Sequence, residues 1–291
     1  MKPLFAIDVT EDKKNEVVNG SEFITKNASV QNTDALEDNQ EELRQSIKKS
    51  QLPFWLQIVM YILGMFALLV ILNVISNGFD IGFTQVFRNA PILIIAGFLC
   101  GIAWLVLYLY SKKKSKKVLQ NENVDKQIED IEKDFDKIYN ELGVPSDAIN
   151  IDILMFRYKI KNGEVKLHTG MQNTQYINLE VKAFTDGKYL HFADASDLYS
   201  FDLAELREIK TVNKRISAMN WTKEESPRKG EYKQYKIMVN TEYGYTVSYK
   251  PYYILEGEHN GEKYGIYFPC YEINALEKLT GLKAHSDAEN E

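Results

Sequence analysis

The sequence is poor in the residues that build reactive centres: its 291 residues hold two Cys and four His. Two thiols, Cys100 and Cys270, cannot make a four-ligand metal site or a disulfide framework. His168, His191, His259 and His285 have no neighbour at metal-ligand spacing, and HExxH is missing. GxGxxG, the P-loop and GxSxG are missing as well, so no cofactor and no catalytic residue is indicated. Asp194 and Asp197 stand in Asp-Ala-Ser-Asp, which is turn chemistry rather than an acid/base pair. An excess of positive charge is lacking too. With 35 Lys and Arg against 41 Asp and Glu the net charge is −6, and no segment is basic enough to track nucleic acid. The chain reads as a non-enzyme.

The most telling absence is of charge itself. No charged side chain lies between Lys49 and Asp80, and none between Arg88 and Lys112. Phe54–Ile75 and Pro91–Tyr110 are apolar runs that as helices span roughly 33 and 30 Å, against a hydrocarbon core of about 30 Å. Pro53 and Pro91 open them, where a missing N–H costs little. The spans are therefore expected at 53–76 and 91–110. Lys112, Lys113, Lys114, Lys116 and Lys117 follow the second run, and Arg44, Lys48 and Lys49 precede the first. Basic flanks stay in the cytoplasm, so the pattern predicts two passes of the cell membrane, both termini cytoplasmic, and an external loop over 77–90. Gly97 and Gly101 form GxxxG, read either as a dimerisation face or as packing against Gly64 and Ala67 of the other span. Neither run holds Asp, Glu, Lys, Arg or His, so the hairpin reads as an anchor rather than an ion path.

On either side the pattern changes. Residues 1–33 are polar apart from short apolar pieces, which predicts a disordered tail. Asp34 and Glu37 resemble a capping box that opens a juxtamembrane helix over 34–50. Within 111–149, after the Lys cluster, Val124, Ile128, Ile131, Phe135, Ile138 and Leu142 form a heptad-like stripe, closed by Gly143 and Pro145. That stripe suits a helix docked on the next domain or a two-stranded coiled-coil stalk in a homodimer.

From residue 150 the sequence is strand-like. Asn162-Gly163, Asp186-Gly187 and Asn260-Gly261 punctuate runs rich in Tyr and β-branched residues. Ile273, Leu276 and Leu279 then share a helical face that Gly281 stops. The expected architecture over 150–283 is an antiparallel barrel or sandwich of six to eight strands closed by one helix. Residues 284–291 are an acidic tail.

This strand series with its closing helix resembles the pleckstrin-homology-like superfold, including its GRAM and bacterial versions. A lipocalin-like barrel fits the same strand count. The whole layout resembles two-span bacterial membrane proteins that carry such a domain. The resemblance implies a scaffolding or binding module that takes a protein, a peptide or a lipid headgroup at the inner membrane face, and implies no catalysis. An accessory subunit of a membrane transport or assembly complex is the other reading. Between Arg207 and Lys236, nine basic residues face four acidic ones, a net +5. Lys214, Arg215, Arg228 and Lys229 are its candidate contacts to anionic lipid or a partner.

Overall fold

A computed structural model describes residues 1–10, 18–50, 52–119, 122–168, 176–220, 236–241 and 244–286. The chain forms two compact units, one made of residues 1–33 with 136–291 and the other of residues 34–135.

The second unit is helical. Two of its helices, α2 (Phe54–Ile81) and α4 (Pro91–Leu119), are long and apolar enough to cross a membrane. Their apolar side chains are largely uncovered: in α2 only Ala67, Val70 and Gly78 are buried, and Ile92 of α4 is 82% exposed. The stretch expected as a loop over 77–90 is instead mostly helical. Helix α2 runs to Ile81, breaks at Gly82 with φ 88°, and resumes as α3 (Phe83–Asn89). Gly78 permits this tight corner, because a Cβ there would collide with the Phe83 ring.

Helices α1 (Val30–Ser50) and α5 (Glu122–Leu142) flank the apolar pair in sequence. Helix α1 opens four residues before the expected capping box. The reason is local: the Ser29 backbone N–H and hydroxyl both donate to the Glu141 carboxylate, at 2.9 and 3.0 Å, and Asn32 Nδ2 donates to it at 2.7 Å. Further along, Asn39 Nδ2 donates to Asp134 at 2.6 Å. These pairings run antiparallel. Of the heptad stripe, Val124, Ile138 and Leu142 are buried, and Ile128, Ile131 and Phe135 are half-buried.

The first unit carries the sheets. The expected disordered tail over 1–33 is a correction here, because its described residues build the core. Strand β1 (Lys2–Pro3) pairs in parallel with β14 (Glu262–Pro269), and β2 (Ala6–Asp8) pairs in parallel with β4 (Ile149–Lys161). Between them Leu4 and Phe5 are buried. Strand β3 (Ile24–Asn27) then joins the edge strand β8 (Asp197–Asp202). Four consecutive apolar residues, Leu4–Ile7, suffice to seat this segment in the core, and the polar average over the whole segment hides them.

One sheet has the order β1-β14-β13-β9-β15, with β13 at Tyr252–His259, β9 at Leu206–Val212 and β15 at Ala284–Ser286. The expected acidic tail thus begins as a strand, and residues 287–291 lie outside the described residues. The larger sheet is a curled half-barrel. It runs from β11 (Lys236–Thr241) through β12 (Gly244–Tyr249), β10 (Ile216–Asn220), β6 (Tyr176–Thr185) and β7 (Tyr189–Ala193) to β8 and β3. Strand β4 pairs with β6 and with β5 (Glu164–Leu167). The purely antiparallel expectation is therefore corrected, because β1, β2, β15 and the β10–β6 contact are parallel.

These strands enclose two cores. Leu4, Phe5, Ile151, Ile153, Phe192, Phe201, Leu255 and Phe268 define the first, on which Ile273, Leu276 and Leu279 of α6 (Ile273–Thr280) pack. Ala6, Leu154, Phe156, Tyr176, Val247, Tyr249 and Tyr252 define the second. The N-terminal segment, β4 and β13 contribute to both, so their two faces form a shared wall. This is why residues 151–154 are buried without alternation.

Candidate functional site

A cleft of about 520 Å³ opens beside the second core. Phe156 of β4, Val165, Lys166 and Leu167 of β5, Tyr176 of β6, Lys214 of the β9–β10 loop, Tyr252 of β13 and Tyr267 of β14 line it. Alternation along β4 sends Phe156 and Tyr158 to this side, and the Asn162-Gly163 turn brings β5 back beside them. Both turn residues have positive φ, 57° and 77°, as a two-residue hairpin loop demands.

The wall of the cleft is aromatic. Phe156 meets Tyr267 edge-on at 4.8 Å and Tyr176 at 5.1 Å, while Tyr252 stacks on Tyr267 at 6.1 Å. Burial pushes the hydroxyls of Tyr176, Tyr252 and Tyr267 above the ordinary tyrosine range, so all three stay protonated at neutral pH. The Tyr176 and Tyr252 hydroxyls interact with each other across the cleft wall. At the rim stand two cations. Lys214 is exposed, and Lys166 lies 3.4 Å from Glu164, an exposed pair that holds it only weakly. Among the described residues the lining holds no carboxylate, imidazole or thiol. Such a surface can bind an anionic or polar group over an aromatic face.

Of the residues singled out in the sequence, Lys214 therefore reaches the cleft. Arg215 is exposed beside it, outside the lining, and Arg228 and Lys229 lie outside the described residues. Lys112, Lys113, Lys114 and Lys116 sit in the last turns of α4; Lys117 continues that helix. Gly97 and Gly101 lie beside the neighbouring span. A Cβ on Gly97 would stand 2.6 Å from Val70, and one on Gly101 would stand 3.7 Å from Ala67. They border an apolar groove of about 440 Å³ between α2 and α4. Phe156, Tyr176, Tyr252, Tyr267 and Lys166 were not singled out. Their only signal is the Tyr-rich strand composition, which does not say which rings converge.

Three other groups that drew attention in the sequence have structural partners. His191 lies 2.9 Å from the Ser200 hydroxyl and 3.3 Å from Asp186. His259 lies 2.8 Å from Glu205. Asp194 accepts the backbone N–H groups of Ser196 and Asp197 in its turn. Among the described residues no group of three or more His, Cys, Asp or Glu could hold a metal ion.

Compared with protein-family models, curated proteins and solved structures, the chain matches none. Its class rests on its own architecture: a mixed helix-and-sheet protein with two membrane-length apolar helices and a curled half-barrel.

Proposed function

We propose that the chain is a two-pass membrane protein whose β unit works as a binding module at the cytoplasmic face. One observation carries the reading: residues 1–33 and 136–291 fold as a single unit although two membrane-length helices interrupt them. A sheet of this kind cannot straddle a bilayer, where exposed backbone groups find no partner. Both flanks of the interruption must then share one side, and two spans satisfy that. Charge names the side, because Lys112–Lys117 follow the second span while the short connection carries Arg88 against Asp80. The exposed Leu, Ile and Phe of α2 and α4 support it too, since hydrocarbon tolerates that surface and water does not.

The cleft is the binding surface in this reading, with Lys166, Lys214 and the Tyr252 hydroxyl receiving an anionic group of a protein, peptide or headgroup. The pleckstrin-homology-like resemblance points the same way. A second reading, an accessory subunit of a membrane transport or assembly complex, draws on the apolar groove between α2 and α4.

Sidedness is tested with single cysteines in a chain carrying Cys100→Ser and Cys270→Ser. Thr84→Cys should react with an impermeant maleimide on intact cells, and Ser146→Cys only after permeabilisation. The reverse pattern would overturn the orientation. The site is tested by a photo-crosslinking side chain at Asn213, next to Lys214. Adducts at Asn213 support the module, whereas adducts obtained only from probes in α2 and α4 favour the second reading.

A further inference from the structure

We infer that the tip of the β4–β5 hairpin is a second, shallow membrane contact that dips two aliphatic side chains into an anionic lipid surface. In the sheet-bearing unit, four large apolar side chains are exposed among the described residues: Met1, Val30, Ile160 and Val165. The last two are 48% and 41% exposed and stand directly opposite each other across the hairpin. Their face continues as the Tyr158–Leu167 pair, which recedes into the unit. The other face of the same two strands carries Lys159 opposite Lys166, and Lys161 opposite Glu164. A short apolar wedge is thus collared by three lysines and one glutamate, a net charge of +2.

The hairpin is also braced. The Ile160 N–H donates to the Thr10 hydroxyl at 2.8 Å, just beyond β2, so the strand edge below the turn is held. A tip so held presents its wedge without first having to order itself.

Lipid is the occupant that fits. Two aliphatic side chains are far less than the roughly 800 Å² per partner of a specific protein interface. Hydrocarbon demands no shape complementarity, and headgroups of one sign match the lysine collar. A wedge this small would hold a free protein poorly. In a chain already anchored by two helices the bilayer is present at high effective concentration, and a weak contact suffices. The inference rests on the membrane anchoring proposed above; it shares Val165 and Lys166 with the cleft, while Ile160, Lys159 and Lys161, which the test varies, do not line it.

The test uses the full chain with Cys100→Ser, Cys270→Ser and Ile160→Cys, labelled with an environment-sensitive fluorophore. It is reconstituted into nanodiscs of phosphatidylcholine alone or with phosphatidylglycerol. In anionic discs the label should shift to the blue, lose quenching by aqueous iodide and gain quenching by spin-labelled acyl chains. Lys159→Gln with Lys161→Gln should reverse all three changes, and so should raised salt, which shortens the screening length. The same label at Asn260→Cys, on the β13–β14 hairpin, should report water throughout. An Ile160→Cys label that stays open to iodide in anionic discs overturns the proposal. So does a shift that follows protein concentration instead of lipid charge, which would mark contact between copies. Failure of the protein to co-elute with the discs would instead remove the anchoring itself.

Discussion

Phe5→Ala should destabilise the β unit by about 3–5 kcal/mol, the range for removing a buried aromatic ring. A terminal residue of an otherwise polar segment would ordinarily cost nothing. Phe5 is 1% exposed, meets Tyr199 at 4.9 Å and Phe192 at 6.2 Å, and its N–H donates to the Asn19 carbonyl at 3.0 Å. Its φ of 52° lies in the left-handed region, which a bulky residue enters only when its contacts hold it there. That adds a second expectation. Glycine relieves about 1 kcal/mol or more of backbone cost at such a φ, so Phe5→Gly should be no worse than Phe5→Ala, the opposite of the order inside a strand. Urea unfolding in mild detergent, followed by near-ultraviolet circular dichroism, reads both. An unchanged midpoint for Phe5→Ala would mean that the N-terminal segment does not belong to the core.

Asp152→Ala should cost about 3–5 kcal/mol, as expected when one member of a buried ionic or hydrogen-bonded network is deleted. Asp152 is 1% exposed on β4. Its carboxylate accepts the Tyr271 hydroxyl at 2.6 Å, and that hydroxyl accepts Asn178 Nδ2 at 2.8 Å. Its backbone N–H donates to Glu272, itself 1% exposed, at 2.8 Å. The cluster ties β4 and β6 to the turn that starts α6, and so fixes the closing helix over the first core. Asp152→Asn keeps an oxygen for Tyr271 and should lose clearly less than Asp152→Ala. Equal losses would mean that charge, not the acceptor, is what this position requires. The same urea titration separates the two outcomes.

How much was legible beforehand follows from the range of each signal. A two-residue turn needs positive φ at both positions, and Asn-Gly supplies it locally; Asn162-Gly163 and Asn260-Gly261 adopt it. Helix α6 declares itself by its apolar spacing and ends on Gly281 at φ 72°, as a left-handed C-terminal glycine should. The N-terminal strands carry no such mark. Lys2 pairs with Tyr264, and Ala6 with Phe156, so their partners lie far away in the chain. Segment composition averages over neighbours and cannot register a partner that distant.

The cleft divides in the same way. Lys214 was visible as part of a basic stretch, because charge density is a property of consecutive residues. Its company with Lys166, Tyr176, Tyr252 and Tyr267 was not, because those residues come from four separate strands. The Gly97 and Gly101 question shows the same limit: small residues at helical spacing mark a close approach, but only coordinates show Val70 and Ala67 opposite them. By itself, then, the sequence determined two membrane-length apolar helices, their basic flank, the hairpin turns and the closing helix, since each depends on side chains a few positions apart. Tertiary structure alone decided that the chain's first residues complete the β unit, that β4 and β13 wall off two cores, and which aromatic rings share a cleft with two lysines. Those outcomes depend on burying apolar surface between segments that meet only after the whole chain has folded.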